Sequence, residues 1–321
     1  MFRAAIAWVC TAALLTYLGF TTDFDKVRQA IALADVGMVA MTAVFFMLLA
    51  FVLDSAIARL LLRRTGFEVG FGEFARIKGA SYLLNILNYN LALVLMAAAV
   101  KRRSGRGWRA SGSPFLLLNF IDLGAHGLIA AFGVAVAGSP FGPDAPPEAT
   151  PALILLAVAC LAGAPVVWGV ARLHHAPGFL GRLLGDDILS AFRALPAGHL
   201  AGFVVLRALF ISQYIVMGWM FLRAFRFDVP FADMFVFQPV LGLIGIIPIS
   251  VSGLGTTQVV MRSFFARFAP MGLGAAAVDA FSTASILAQL VVRIAIGLVC
   301  LPSVSRELRE PAAGPAASEG Q

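Results

Sequence analysis

The sequence predicts an all-α polytopic membrane protein with six full transmembrane spans and two broken, re-entrant helical hairpins. Of its 321 residues, 60% are hydrophobic and only 13% are charged, whereas a water-soluble domain carries about 25% charged residues. The mean hydropathy is +0.90. Several apolar runs also reach the roughly 20 residues that a helix needs to cross the hydrocarbon core of a bilayer.

Six apolar regions are regular enough to be full spans: 4–20, 36–58, 114–138, 151–171, 200–222 and 279–301. The first is predicted to be an uncleaved span, because no small-x-small cleavage site follows it. Two further regions, about 72–100 and 234–268, are interrupted by polar residues, glycine or proline. Residues 1–305 are thus predicted to form one integral membrane domain, and residues 306–321 a disordered cytoplasmic tail, since they are polar and rich in Pro, Ala and Gly.

The loop charges predict the topology. Loops 59–78 and 101–113, which flank the first interrupted region, are both strongly basic. Basic loops stay in the cytoplasm, so the region between them enters and leaves on the same side. Continuing along the chain, region 234–268 becomes a hairpin from the outer face, and both termini lie in the cytoplasm. If both interrupted regions cross fully instead, the chain has eight spans and parallel repeats.

This topology divides the chain into halves of about 1–138 and 151–305, each with three spans and one hairpin. An odd number of spans makes the halves inverted relative to each other. Interrupted segments at corresponding positions of two halves point to the binding site of a transporter. No strong residue-level repeat is apparent, so the predicted symmetry rests on hydropathy.

The second hairpin contains the string "IPISVSGLGTTQ", residues 247–258. Pro248 breaks a helix, while Gly253 and Gly255 permit a sharp turn. Peptide groups freed from helical bonding at bilayer depth must be buried in protein or line a wet cavity. We therefore favour a cavity-lining segment. The alternative is a polar kink or external loop whose glycines serve close helix packing.

The same string offers groups for an anionic headgroup. Thr256 or Thr257 could cap a new helix over 257–268. Gly253, Gly255 and Thr256 would supply backbone amides to the headgroup, because the amides at a helix start favour an anion such as a phosphate. Ser250, Ser252 and Gln258 would add neutral hydrogen-bonding groups beside it.

In the first hairpin, Asn85 and Asn88 lie one helical turn apart on the same face. Amide side chains at this depth either hold helices together or line a polar pathway, and the sequence does not choose between the two.

Two charges lie inside predicted spans, each in the span that follows a hairpin: Asp122 and Arg293. Charges at that depth are costly and indicate a function or a mutual ion pair. We predict an Asp122–Arg293 pair or a contact of Arg293 with a phosphate. Arg207 is near the start of its span, where its long side chain can reach the interface.

The sequence gives no sign of catalysis or of a bound cofactor. It has no nucleophile–base pairing, no HExxH string and no nucleotide-binding loop. The three cysteines and four histidines lack metal-ligand spacing. The net charge of +7 is concentrated in short loops, which indicates contact with anionic lipid rather than with nucleic acid. We expect no enzyme activity, no cofactor and no metal.

The chain resembles the lysylphosphatidylglycerol synthase transmembrane-region family over essentially residues 1–305. The resemblance is carried by "PISVSGLGTTQ", "VDAFSTASILAQLVVRIAIGL" and the region from residue 80 to Asp122 and beyond. It implies a role in moving lipid between leaflets of a bacterial inner membrane. The family's signature glutamate is Gln258 here, and its soluble aminoacyl-transferring domain is not expected.

The sequence therefore predicts a flippase-like lipid translocase that binds an anionic lipid headgroup, from a phospholipid or a polyprenyl or hopanoid-related lipid, near the bilayer midplane. One alternative is an accessory membrane protein that scaffolds or feeds a lipid-biosynthesis enzyme. A membrane-embedded lipid-modifying enzyme ranks below both.

Overall fold

The computed structural model describes residues 16, 20, 23–87, 89–138, 149–172, 187–246, 256–270 and 272–309. Within these ranges all regular secondary structure is helical. Five helices are long and apolar enough to cross a membrane. The chain is therefore an all-helical, multi-pass membrane protein, as its composition predicts. The predicted span 4–20 lies, apart from residues 16 and 20, outside the described residues.

The α-helices in the described residues, in chain order, are α1 Phe24–Leu33, α2 Val36–Arg64, α3 Phe71–Leu87, α4 Tyr89–Ser104, α5 Trp108–Ala137, α6 Ala149–Arg172, α7 Ser190–Ala194, α8 Ala197–Ala224, α9 Met234–Ile246, α10 Thr256–Phe265 and α11 Gly274–Arg309. The predicted spans 36–58, 114–138, 151–171, 200–222 and 279–301 fall on α2, α5, α6, α8 and α11. Helix α11 continues past residue 305, where the predicted tail begins, and residues 310–321 lie outside the described ranges.

The predicted loops are shorter than their charges suggest. Helix α2 runs to Arg64 and α3 begins at Phe71, so Lys78 lies within α3 rather than in a loop. Likewise α4 runs to Ser104, and its last turn carries three basic residues. Cations at a helix C-terminus are stabilised by the helix dipole. The basic residues 101–103, which the sequence assigned to a loop, therefore lie in the last turn of α4.

Helices α3 and α4, here called the first helical pair, run antiparallel. Glu73, in the first turn of α3, forms an ion pair with Arg103, in the last turn of α4. The outer ends of these helices, of 17 and 16 residues, are therefore side by side. The start of α3 and the end of α4 therefore lie at the same end of the pair.

Helices α9 and α10, the second helical pair, have the same arrangement. Asp233, just before α9, is 4.0 Å from Arg267, just after α10. Between them Phe237 stacks on Phe264 with ring centroids 4.7 Å apart. Helix α10 begins within one residue of the predicted start at 257, and the motif residues 247–255 that join the two helices lie outside the described residues.

The two helical pairs pack reciprocally. The first pair packs through α3 on α11, the last helix of the second half, and the second packs through α9 on α5, the last helix of the first half. Helices α2 and α8 pack on each other between them. Glycines allow both close approaches: a Cβ at Gly297 would overlap Leu83 of α3, and one at Gly133 would overlap α9.

The turn between α2 and α3 has a counterpart of similar backbone conformation between α8 and α9. The two segments read "TGFEVGFGEF", residues 65–74, and "FRFDVPFADM", residues 225–234. Phe67 and Phe227 are both buried, and their amides donate to equivalent carbonyls, those of Leu62 (2.9 Å) and Leu222 (3.0 Å). Only Phe67/Phe227, Val69/Val229 and Phe71/Phe231 are identical between the segments, so the repeat is one of backbone hydrogen bonding and burial rather than a strong residue-level repeat.

The residue before each of these phenylalanines lies in the left-handed region. Gly66 has φ +85° and Arg226 has φ +64°. Glycine adopts this conformation readily, whereas arginine does so only at a cost. The second turn therefore has the same left-handed backbone conformation as the first, although arginine occupies the position that glycine occupies in the first turn.

We expect Gly133→Ala to destabilise the protein by roughly 1–3 kcal/mol, because the new Cβ would lie 2.7 Å from the backbone carbonyl of Phe235. The unfolding transition in detergent measures this. Gly202→Ala on α8 is the matched control, since no atom of another helix lies within 4 Å of its Cβ position. Equal unfolding transitions for the two variants would contradict the close α5–α9 packing.

Candidate functional site

Four charged side chains meet inside the bundle where α2, α3, α5 and α8 come together. Arg207 on α8 donates to Asp54 on α2 (Nη1 to Oδ1, 2.5 Å) and to Asp122 on α5 (Nη2 to Oδ2, 2.9 Å), with a further bond from its Nε to Asp122. Lys78 on α3 lies 2.6 Å from the second oxygen of Asp54. We call these four residues the charge network. Its formal charges cancel.

The charge network explains how these spans tolerate ionised groups. Arg207 is only 5% exposed and both carboxylates are buried, and a lone charge at the centre of a membrane helix costs about 2.5–3.5 kcal/mol. Each carboxylate here instead accepts hydrogen bonds from a cation. Removing one partner of such a set leaves an uncompensated charge, which is strongly destabilising.

The predicted Asp122–Arg293 ion pair is wrong, and so is the interpretation of Arg207 as a residue that reaches the interface. Helix α8 packs directly on both α2 and α5, which brings Arg207 to Asp122, whereas α11 packs mainly on α3. Arg207 is therefore the neutralising cation, and Arg293 is left for another role.

A cavity of about 270 Å³ adjoins the charge network and is called the first cavity. Besides that network, its polar lining comprises Tyr82, Asn85, His126, Tyr214, Gln238 and Arg293. Asn85 thus lies in a cavity wall, while Asn88 is outside the described residues. The sequence left open whether these asparagines hold helices together or line a polar pathway, and Asn85 lines a cavity.

His126 is held in the wall of the first cavity by backbone contacts. Its Nδ1 donates to the carbonyl of Asp122 at 2.8 Å. Its other nitrogen faces Gly242 of α9, where a Cβ would lie 2.5 Å away. The glycine lets α9 approach α5 closely enough for α9 to form part of the cavity wall.

A second cavity, of about 260 Å³, lies among α8, α9, α10 and α11. Its polar lining comprises Tyr214, Gln238, Thr257, Ser285, Gln289 and Arg293. Tyr214, Gln238, Gly242 and Arg293 line both cavities. The two cavities are therefore neighbours that share one wall.

Arg293 is the charged residue of this shared wall. It forms no ion pair with any acidic residue in the part of the chain that the structure describes. Because the charge network is neutral, Arg293 gives the first cavity one net positive charge. In the second cavity it is the sole ionic residue among the described lining residues.

The predicted headgroup residues have mixed outcomes. Ser250, Ser252, Gly253 and Gly255 lie outside the described residues, as does the side chain of Thr256, which begins α10. The side-chain oxygen of Gln258 is buried and has no hydrogen-bond partner in the described structure. Thr257 and Met261, rather than Gln258, line the second cavity.

Helix α10 is fixed to α11 by a bidentate ion pair. The Nε and Nη2 of Arg262 donate to the two carboxylate oxygens of Asp279 at 2.7 and 2.6 Å. Both side chains are largely buried, with 13% exposed. This contact positions the first turn of α10, and with it Thr257, beside the last span.

Sequence reasoning missed Asp54 and Lys78. Asp54 stands in "AFVLDSAIARL", well inside the predicted span 36–58, and a carboxylate there is the same signal that drew attention to Asp122. Lys78 was counted among the loop charges. Its position two turns into α3 identifies it as an intramembrane cation once that helix is known.

A protein-family comparison finds a match to the model described as lysylphosphatidylglycerol synthase TM region, over residues 2–297. No curated protein matches the chain.

We expect Arg207→Met to destabilise the protein by about 3–5 kcal/mol, because the buried Asp122 would lose its cation and Asp54 would keep only Lys78. Equilibrium unfolding in detergent measures the loss. Arg223→Met on the same helix is the matched control: Arg223 is 48% exposed and pairs with an exposed Asp228, so its loss costs less than about 1 kcal/mol. Equal effects of the two substitutions would contradict the neutralising role of Arg207.

Proposed function

The chain belongs to the lysylphosphatidylglycerol synthase TM region family, and from this premise we propose that it is a lipid translocase that binds an anionic lipid headgroup inside the membrane. The proposal assigns it no chemical step on the lipid and no cofactor. It places the protein in a bacterial inner membrane with both termini in the cytoplasm.

The observation that carries the proposal is Arg293 in the wall shared by two cavities. A guanidinium inside a membrane bundle needs a counter-charge, and Arg293 has no ion pair to a described acid. The planar donors of arginine fit a phosphate with two parallel hydrogen bonds. A lipid phosphate supplies the missing negative charge at this position.

The two helical pairs support a path for the headgroup. In our proposal both are re-entrant hairpins, the first entering from the cytoplasm and the second from the outer face, within an inverted repeat that also contains six full spans. Asn85 from the first pair, and Gln238 and Thr257 from the second, reach the cavities. Polar groups from both sides of the membrane therefore meet beside Arg293, which suits a headgroup moving between leaflets.

The proposed topology predicts which positions are accessible from outside the cell. In a variant lacking native cysteines, Glu68→Cys and Ser104→Cys, at exposed positions flanking the first helical pair, should react with a membrane-impermeant maleimide only after permeabilisation. Ser139→Cys, in the segment between α5 and α6, should react on intact cells. External labelling of both residues 68 and 104 on intact cells would contradict the entry of the first helical pair from the cytoplasm.

Arg293→Gln should slow the movement of a fluorescent anionic phospholipid across proteoliposome membranes by roughly tenfold or more. A hydrogen bond to a charged group contributes about 1.5–3 kcal/mol, and each 1.4 kcal/mol is a factor of ten. Arg293→Lys, which keeps the charge, should retain part of the rate. The matched control is Arg223→Gln, whose exposed side chain lies outside both cavity linings.

Stability separates this effect from simple unfolding. Because Arg293 lacks an acidic partner among the described residues, Arg293→Gln should not lower the unfolding transition, in contrast to a substitution of Arg207. A wild-type transport rate in Arg293→Gln would contradict the proposal. Absence of lipid movement in the native protein, together with a stably copurifying lipid-biosynthesis enzyme, would favour the accessory role.

A further inference from the structure

The two cavities occupy equivalent places in the two halves of the chain. The repeated turns set the correspondence, since Phe67 matches Phe227 in sequence, burial and backbone hydrogen bonding. In this register Asp54 and Ala58 of α2 correspond to Tyr214 and Gly218 of α8. Lys78 and Tyr82 of α3 correspond to Gln238 and Gly242 of α9. The four residues of α2 and α3 line the first cavity and the four of α8 and α9 line the second, although Tyr214, Gln238 and Gly242 also belong to the wall that the two cavities share.

The spans that follow the helical pairs extend this correspondence. Helix α5 presents Asp122 and His126, one turn apart, to the first cavity. Helix α11 presents Ser285, Gln289 and Arg293, again at intervals of one turn, to the second. Each cavity is therefore lined by a central span, a helical pair and the span after it from one half of the chain, and α8, α9 and α11 of the second half also line the first cavity.

The charges of these equivalent cavities differ. The first contains two carboxylates, which hold its own two network cations by direct ion pairs. The described lining of the second contains no carboxylate, and its polar groups other than Arg293 are neutral hydroxyls and amides. The Nε2 of Gln289 donates to the carbonyl of Ser285 at 3.1 Å, and its Oε1 is a hydrogen-bond acceptor on a residue that lines the cavity.

From this difference we infer that the second cavity is the headgroup site and that it selects a singly anionic phosphodiester lipid whose terminal group is uncharged and carries hydroxyls. Arg293 binds the phosphate, while Gln238, Thr257 and Gln289 bind the hydroxyls. The inference rests on the proposed function and narrows its substrate.

An ammonium-bearing headgroup is disfavoured by the same residues. The described lining offers it no carboxylate, and Arg293 repels a second cation in a region where charges are weakly screened. The carboxylates of the first cavity are already engaged by Arg207 and Lys78. A hydroxyl, in contrast, can donate to an amide oxygen and accept from a hydroxyl or amide donor.

The test compares three fluorescent lipids with identical acyl chains in proteoliposomes of the full chain: phosphatidylglycerol, phosphatidylethanolamine and lysyl-phosphatidylglycerol. We expect phosphatidylglycerol to move at least about tenfold faster than either ammonium-bearing lipid. Movement of all three at similar rates, or faster movement of an ammonium-bearing lipid, would overturn the inference while leaving the proposed function intact. If none of the three moves, the proposed function itself fails.

A charge substitution makes the test specific to this cavity. Gln289→Glu places a carboxylate one turn from Arg293. This carboxylate can pair with an ammonium group or with Arg293 itself, so the substitution should reduce or reverse the preference for phosphatidylglycerol. Gln289→Met removes the amide without adding charge, so it should slow phosphatidylglycerol without favouring the ammonium-bearing lipids. An unchanged preference in folded Gln289→Glu protein would place the selecting site elsewhere, and the wild-type comparison decides the inference if that variant does not fold.

Discussion

The contact on which the rest of this structure depends is the insertion of Arg207 between Asp54 and Asp122. It joins α8 to α2 and α5, and Lys78 extends the same set of ion pairs to α3. Because charged groups in a membrane interior must be neutralised locally, these helices cannot separate without exposing an unpaired charge. The charge network therefore fixes the wall of the first cavity, and it does so without using Arg293, which remains available to an anion.

Hydropathy predicted the spans that the structure describes, because length and apolar composition are properties of each segment alone. The partner of Asp122 was not predictable in the same way. It depends on which helices are neighbours, and the packing of α8 on α5 leaves no trace in the hydropathy of either helix. Lys78 was misassigned for a related reason: the first turns of α3 are polar enough to resemble a loop, so an intramembrane cation was counted as a surface charge.

The internal repeat was overlooked because it preserves shape more than residue identity. Gly66 is matched by Arg226, and Gly70 by Pro230, yet the backbone hydrogen bonds and the burial of the intervening phenylalanine are the same. The features that persist are an acidic residue ahead of each helical pair, buried aromatic and valine positions, and a left-handed residue before them. Such a pattern is recognised when the structure shows the same hydrogen bonds and burial in both segments. The number of identical residues alone is too small to distinguish it from chance similarity.

Unequal charge in two equivalent cavities follows from the demands of a membrane interior. If both cavities held carboxylates matched to cations, neither would attract an anionic headgroup. If both held unpaired cations, the empty protein would bear two uncompensated charges at a depth where each costs several kcal/mol. One neutral charge network and one unpaired arginine satisfy both limits. Arg293, the one unpaired cation among the described lining residues, lies in the wall that the two cavities share, where elements of both halves meet.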